Sequence, residues 1–482
     1  MKVETILKNA SFQELIRLMI SRRYIKNSAR KVIESRAYKS IVVENTAGRP
    51  VSVQEDKYLY VVAMLRSAER AIDRGLISRK IISRLIEVFL SNVILASRKR
   101  PGSSGGRHED KVPLFALISP TGKCNLRCKG CYAESDPGNH ASLDFETFDR
   151  ILTEKNELWG SHFTVISGGE PFLWRDGEKG LLDIVEKHPS DMFMVYTNAT
   201  LITDEVARRM GELGNITPAI SVEGFAEETD ERRGKGVHAK VLKAFEHLRN
   251  NGVPFGISTT PTKNNWETIT SDRFIDFYFD QEGAAYGWLL QYMPIGRGQS
   301  LDLVVPPRQR VEMLRRVQRL VREREIFLAD FWNNGVLSNG CISAGRPGGY
   351  LYIDWNGDIS PCAFVPYASD NIYDIYSKGG TLDTALGSPF FREIRKWQDE
   401  YGYDRISKET NNWLCPCVIR DHFEILKDAV ARCGSRPLNE EAAVAMQDGD
   451  YHRGMVQYGK AITELTEPIW RNEYLERMNK GA

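Results

Sequence analysis

The chain has 482 residues, 42% of them apolar and 27% charged, which suits a globular protein of roughly two to four domains and excludes a disulfide-knit miniprotein or a low-complexity chain. Its net charge of +1 hides a split: residues 1–112 hold 23 Lys and Arg against 11 Asp and Glu, a net +12, and the remainder carries −11. Such a basic end implies an anionic partner (a lipid surface, a nucleic acid or an acidic protein) or a basic helical domain docked on an acidic body.

Met1–Ala10 carries no long apolar stretch, so no signal peptide is expected and a cytoplasmic location is. No run of apolar residues is long enough to span a membrane. Phe12–Ala37 and Leu59–Ser97 place apolar residues at helical spacing. Within the second, Ile81–Ala96 is interrupted by Arg84 and Glu87 and reads as an amphipathic helix suited to a membrane surface. Between the two helices, Ile41-Val42-Val43 and Val51-Ser52-Val53 flank Asn45, Gly48 and Pro50, so Ser40–Gln54 is expected to be a hairpin. Pro101–Gly106 is a loop and a domain boundary.

From Leu114 short β-like runs alternate with helical stretches. The expected strands are Leu114–Ser119, Phe163–Ser167, Met192–Thr197, Ala219–Val222, Phe255–Thr259 and Gly287–Tyr292, with helices such as Phe145–Leu158, Glu205–Leu213 and Ala239–Asn250 between them. Repeated βα units imply an α/β fold with a parallel sheet, and six units make an open, partial (β/α)6 barrel. Its chemistry belongs at the C-terminal ends of the strands. A helix over Arg308–Arg324 leads to a cysteine-bearing region and a helical tail from about Asn439. The organisation expected is therefore 1–112, a basic and mostly helical N-terminal domain; 113–305, the barrel; and 306–482, a C-terminal extension.

The first strand runs into Cys124-Asn125-Leu126-Arg127-Cys128-Lys129-Gly130-Cys131, a Cys-x3-Cys-x2-Cys loop. Thiolates are the usual ligands of iron–sulfur clusters. Three from one loop leave the fourth iron free to chelate the amino and carboxylate groups of a methionine-type cofactor. A structural zinc site would want a fourth ligand, and no Cys or His lies close by. The second strand ends in Gly168-Gly169-Glu170-Pro171, where two glycines admit a ligand close to the backbone and Glu170 either fixes the turn or receives an amine.

These two motifs, one βα unit apart, resemble the radical SAM superfamily. The resemblance implies a 4Fe–4S cluster on Cys124, Cys128 and Cys131, S-adenosyl-L-methionine (SAM) as cofactor, and reductive cleavage of SAM to a 5′-deoxyadenosyl radical that abstracts hydrogen from a substrate. It extends to Thr197-Asn198-Ala199, Ser221-Val222-Glu223-Gly224 and Asp230-Glu231-Arg232-Arg233-Gly234, so that Gly168, Gly169, Glu170, Asn198, Ser221 and Arg233 are the implied cofactor-binding residues. Two positions depart from the family: Gly130 stands where many members carry an aromatic, with Tyr132 a candidate to supply that cover, and Ala199 replaces a glycine.

Cys341, fifteen residues, Gly357, four residues and Cys362 enclose a run, Gly349–Ile359, that alternates like a hairpin. Cys415-Pro416-Cys417 and Cys433 follow. This is similar to the SPASM or twitch extension of radical SAM enzymes, and implies one auxiliary iron–sulfur cluster on Cys341, Cys362, Cys415 and Cys417, with Cys433 able to replace either of the last two and zinc as the alternative metal. The resemblance covers about residues 113–435. It implies an anaerobic, cytoplasmic enzyme reduced by flavodoxin or ferredoxin, with no nucleic-acid partner. Three substrate classes remain open: a lipid or other membrane-associated molecule, which the basic N-terminal region favours, a peptide or protein, as for SPASM maturases, and a small metabolite. A non-catalytic iron–sulfur electron carrier is the reading from another class.

Overall fold

The computed structural model describes residues 11, 14–15, 26–45, 48–88, 112–403, 405 and 409–476. The loop expected at Pro101–Gly106 and parts of the segments Phe12–Ala37 and Ile81–Ala96 lie outside them.

The N-terminal region is helical, with α1 over Lys26–Tyr38 and α2 over Val51–Asp73. The hairpin expected at Ser40–Gln54 does not form. Lys39–Val43 continues α1 as a π-helical turn, and α2 starts directly after Pro50. The turn between them is real: Gly48 N–H donates to the Asn45 carbonyl at 2.9 Å, and both residues have positive φ. It joins two helices because Val53, Tyr60 and Ala63 recur at helical spacing and are buried against the rest of the chain. Val53 packs among Leu314, Trp413 and Trp470, and Tyr60 donates to the Leu328 carbonyl and to Asn334 Oδ1. Tertiary burial outweighs the weak preference of valine for a strand.

The N-terminal cations are partly engaged within the region. Lys26, Arg30 and Arg66 pair with Glu34, Glu69 and Asp73. A short helix, Arg79–Arg84, follows, capped by Ser78. Ile81 enters the main core, and Val88 packs on Met192. The described part of the amphipathic segment thus spends its apolar face on the barrel. Among the described residues no helix is long and apolar enough to cross a membrane.

The barrel strands are β1 (Phe115–Ile118), β2 (Phe163–Ile166), β3 (Met192–Thr197), β4 (Ile216–Ser221), β5 (Gly256–Thr259) and β6 (Tyr286–Leu289), all parallel and hydrogen-bonded in that order. Their residues alternate as a pleat demands. Ala116, Ile118, Ile166, Val195 and Ile220 face the helices and are buried, whereas Phe115, Leu117, Tyr196 and Trp288 gather with Val165, Met194 and Ala219 in a separate inner cluster. The helices between include α3 (Phe145–Trp159), α4 (Asp204–Leu213), α5 (Ala226–Arg233) and α6 (Val237–Asn250). Asp144 caps α3 through Thr147 N–H at 2.8 Å, and Gly160 ends it with φ of 56°. Its buried face, Phe145, Phe148, Ile151, Leu152 and Trp159, follows the helical repeat, each large side chain contributing about 1.5–3 kcal/mol.

The arc stays open. Beyond β6 a seventh parallel strand, β7 (Leu328–Asp330), follows helix α7 (Pro307–Glu323). Three residues carry no alternation to read, and the sequence did not indicate this strand. On the other edge the hairpin expected around Asn356-Gly357 forms as β8 (Tyr350–Ile353) and β9 (Asp358–Ser360). β8 runs parallel to β1, so the C-terminal extension continues the barrel sheet, closed off by β10 (Asp370–Asn371) against β9. Helices α8 (Phe423–Cys433) and α9 (Gly449–Ile469) complete the extension.

Candidate metal centres

The Cys124–Cys131 loop leaves the C-terminal end of β1 with its carbonyls pinned from two sides. Arg297 donates from its guanidinium to the carbonyls of Cys128 (3.1 Å), Glu134 (3.0 Å) and Ser135 (2.7 Å), and from its backbone to that of Cys131. Arg232 reaches the Gly130 carbonyl at 3.3 Å, and its own carbonyl accepts from Lys129 N–H. Cys124, Cys128 and Cys131 lie within electrostatic reach of one another. Cys124 is buried, its thiol pushed up to about 12 by burial, and the neighbouring Glu170, Cys128 and Cys131 add to the rise. Thiolates are the usual ligands of iron–sulfur clusters, and three on one loop suit the corners of a cube. Arg233 is half-buried beside the loop; desolvation works against its charge, but Glu223, Cys128 and Cys131 hold the guanidinium above its ordinary range.

The Gly-Gly-Glu turn is strapped onto this loop. Gly169 and Glu170 donate their N–H groups to the carbonyls of Thr121 and Lys123 at 2.9 and 2.8 Å. Gly168 has φ of 112°. Glu170 has no exposure, and its oxygens accept from Thr197 Oγ1 (2.7 Å), Phe172 N–H (3.2 Å) and Asn198 N–H (2.9 Å). Of the two roles open to it, the structure shows the turn-fixing one: it ties the ends of β2 and β3 together. Burial raises its carboxyl to about 6.

Asn198 lies at the rim, with Nδ2 on Asn125 Oδ1 at 2.9 Å and a long approach to Cys124 Sγ at 3.9 Å. Ala199 sits at φ of 60°, a conformation natural to the glycine it replaces. Ser221 ends β4, half-buried. Arg233 shares the Oε1 atom of Glu223 with Arg232, at 2.6 to 2.8 Å, while Oε2 accepts from Thr260 N–H. Glu223 therefore orients two arginines at once. Glu223 stands in the Ser221-Val222-Glu223-Gly224 motif, but no signal in the sequence marked its hold on two arginines or the role of Arg297. The Tyr292 ring packs on Gly130: a β-carbon on Gly130 would stand 2.7 Å from Tyr292 Cε2. Tyr132 meets Ser167 Oγ at 2.8 Å and the Phe364 ring at 5.3 Å.

The later cysteines divide. Tyr350 O–H lies 2.9 Å from Cys362 Sγ, Trp332 Nε1–H donates to Cys417 Sγ at 3.3 Å, and Ser343 Oγ is 3.2 Å from Cys341 Sγ. Trp332 and Phe364 rings touch at 4.9 Å, and Phe364 N–H points at Cys362 Sγ. Burial pushes Cys362 up to about 12 with Cys341 adding to it, and Cys417 rises through burial, Asp421, Cys341 and Cys362. These three thiols share one neighbourhood. Cys415 faces elsewhere: its Sγ lies 3.6 Å from the hydroxyls of Thr463 and Thr466 on α9. Cys433 ends α8 near Glu393 and Arg432. Among the described residues no three Cys, His or carboxylate groups close on a single ion; a cube offers each thiolate its own iron and needs no such convergence.

A family model described as the radical SAM superfamily matches residues 118–275. The mycofactocin maturase MftC of Mycolicibacterium smegmatis is 27% identical over 378 residues, covering 74% of this chain and 93% of its own. The Fe-coproporphyrin III synthase of Methanosarcina barkeri is 28% identical over 181 residues, 36% of this chain, and the match spans only 43% of that relative's length. Among solved structures, Streptococcus suis SuiB bound to S-adenosylmethionine matches 64% of this chain and 78% of its own at 17% identity, with a TM-score of 0.47.

Proposed function

This chain is a radical SAM enzyme, and from that premise we propose that Cys124, Cys128 and Cys131 hold its 4Fe–4S cluster while Gly168, Gly169, Asn198, Ser221 and Arg233 bound the SAM pocket. The observation that carries the reading is the strap between Gly169–Glu170 and Thr121–Lys123, which fixes the cysteine loop against the turn where the cofactor's polar end would lie. Bound together, cluster and SAM supply a one-electron cleavage of a carbon–sulfur bond and a carbon radical that takes hydrogen from the substrate. The chain's own work is positional. Arg297 and Arg232 hold the loop carbonyls, Glu170 locks two strand ends, and Glu223 aims Arg233 at the thiolate side. The open arc screens the site from water on its helical side.

An auxiliary iron–sulfur cluster occupies the second thiol site in this reading, and a flavodoxin or ferredoxin delivers the electron. The substrate class is a peptide or protein. That choice rests on the maturase relative matched over nearly its whole length. The lipid alternative loses support because several N-terminal cations and the apolar face of residues 81–88 are engaged within the chain.

The test is release of 5′-deoxyadenosine from SAM by anaerobically reconstituted protein with dithionite. The parent chain releases it, and the variant with Cys124, Cys128 and Cys131 all changed to Ala does not. Release by that variant, or none by a parent that holds the cluster, refutes the reading.

A further inference from the structure

We propose that Lys57, Arg49 and Arg346, together with the indole N–H of Trp413, bind a phosphate group where α2 meets the C-terminal extension.

Three cations converge there on one turn. Lys57 Nζ donates to Asn339 Oδ1 at 2.6 Å. Arg346 donates to the carbonyls of Ser338 at 2.6 Å, Gly340 at 3.3 Å and Pro347 at 3.0 Å, and to that of Cys341. Arg49 donates to the carbonyls of Tyr403 and Arg405, and its guanidinium lies 5.5 Å from the centre of the Trp413 ring. Elsewhere in the N-terminal region Lys26, Arg30 and Arg66 reach Glu34, Glu69 and Asp73. Among the described residues, neither Lys57 nor Arg346 forms an ion pair, and the charges bearing on Lys57 are those of Arg49 and Arg346.

Carbonyl dipoles hold a guanidinium in place but leave its charge standing, and like charges gathered out of water repel. Arg49 is 9% exposed and Arg346 2%. Burial, then Arg49 and Arg346, lower the Lys57 ammonium to about 7. An anion seated among the three removes that repulsion.

A fourth donor faces the same turn. Trp413 has no exposure, and its Nε1–H has no hydrogen-bond partner among the described residues. A buried indole N–H usually finds one. Gly340 leaves it room: a β-carbon on that glycine would stand 3.5 Å from Nε1, where a ligand atom can sit instead. Lys57 and Asn339 are half-buried, which leaves a way in from solvent. Three cations match the double charge of a phosphate better than the single charge of a carboxylate. With one ammonium hydrogen on Asn339, Lys57 keeps two for separate oxygens. The group is either inorganic phosphate or the phosphate of a small ester.

The experiment is equilibrium dialysis of radiolabelled inorganic phosphate, and of glycerol 3-phosphate, against anaerobically reconstituted full-length protein in a chloride buffer. The variants are Lys57→Met and Trp413→Phe, the second keeping a ring and deleting the N–H. The parent is expected to bind a single equivalent of at least one probe, and each variant to bind it about tenfold or more weakly, the worth of one charge-assisted hydrogen bond. Binding of phosphate alone identifies the free ion; tighter binding of glycerol 3-phosphate identifies an ester. No saturable binding of either probe by the parent overturns the proposal. So does undiminished binding by Lys57→Met, which places the anion elsewhere, on an iron for example. A melting curve keeps the test open if Trp413→Phe does not fold. Without phosphate, Lys57→Met should melt no lower than the parent, because it relieves the repulsion; adding phosphate should raise the melting temperature of the parent alone. An equal rise in both is the general effect of an excluded salt and overturns the site. A Lys57→Met chain that melts well below the parent in the absence of phosphate makes Lys57 a strut for Asn339 and overturns it too.

Discussion

Gly169 lies so close to Lys123 that a β-carbon on the glycine would stand 2.1 Å from the lysine carbonyl oxygen. That carbonyl is backbone and is itself held by Glu170 N–H, so it has no room to yield. Gly169→Ala should therefore push the turn off the cysteine loop. Overpacking of this kind costs about 1–3 kcal/mol. The expected outcome is a lowered melting temperature with poor retention of the first cluster, read by calorimetry and iron content; a variant with parental iron and stability would refute the strap.

Glu223 carries two arginines on one oxygen. Glu223→Gln keeps its shape and removes the charge. Hydrogen bonds to charged groups are worth about 1.5–3 kcal/mol, so Arg233 should wander and SAM affinity should fall about tenfold or more. Iron content should stay parental, because no thiol is altered. Equilibrium binding of SAM to the reconstituted variant checks this, and unchanged affinity would remove Arg233 from the pocket.

Arg310 and Asp421 form an ion pair without exposure on either side chain. Breaking such a pair strands a buried charge and costs about 3–5 kcal/mol. Asp421→Asn should destabilise the extension by that order, measured by urea unfolding. Burial opposes the Asp421 charge but Arg310 outweighs it, leaving the carboxyl below its ordinary range. The pair's contribution is thus present above the unfolded pKa of about 4 and lost only as pH falls through the lower folded value.

Asp354 behaves in the opposite sense. Burial, and then Asp358, raise its carboxyl from 3.8 to about 7 in the turn of the β8–β9 hairpin. The folded state binds the extra proton between those values, so its contribution to stability declines as pH rises from about 4 to 7 and the full penalty stands above 7. Asp354→Asn retains an acceptor for the N–H groups of Asn356 and Asp358. It should stabilise the chain by about 1–2 kcal/mol at pH 8 and by nothing near pH 4. Unfolding curves at several pH values would show this; a difference independent of pH would contradict it.

The sequence by itself determined whatever is local. Short β-like runs marked the six barrel strands to within a few residues, helical periodicity marked α3, α4, α6 and α7, and one short loop keeps Cys124, Cys128 and Cys131 near one another. Gly168 and Gly169 were legible for the same reason: a turn that tight admits no side chain. Tertiary structure decided the rest. Val51 and Val53 could have lined a strand, but burial of Val53 against Trp413 and Trp470 made this segment the start of α2, with Val51 left exposed. The three residues of β7 had no pattern long enough to read. Cys415 and Cys417 are two positions apart, yet one faces Thr463 and Thr466 on α9 and the other the Trp332 indole. Spacing along a chain restricts how near two groups can come, but the direction in which each side chain points is set by what packs against it from segments tens of residues away.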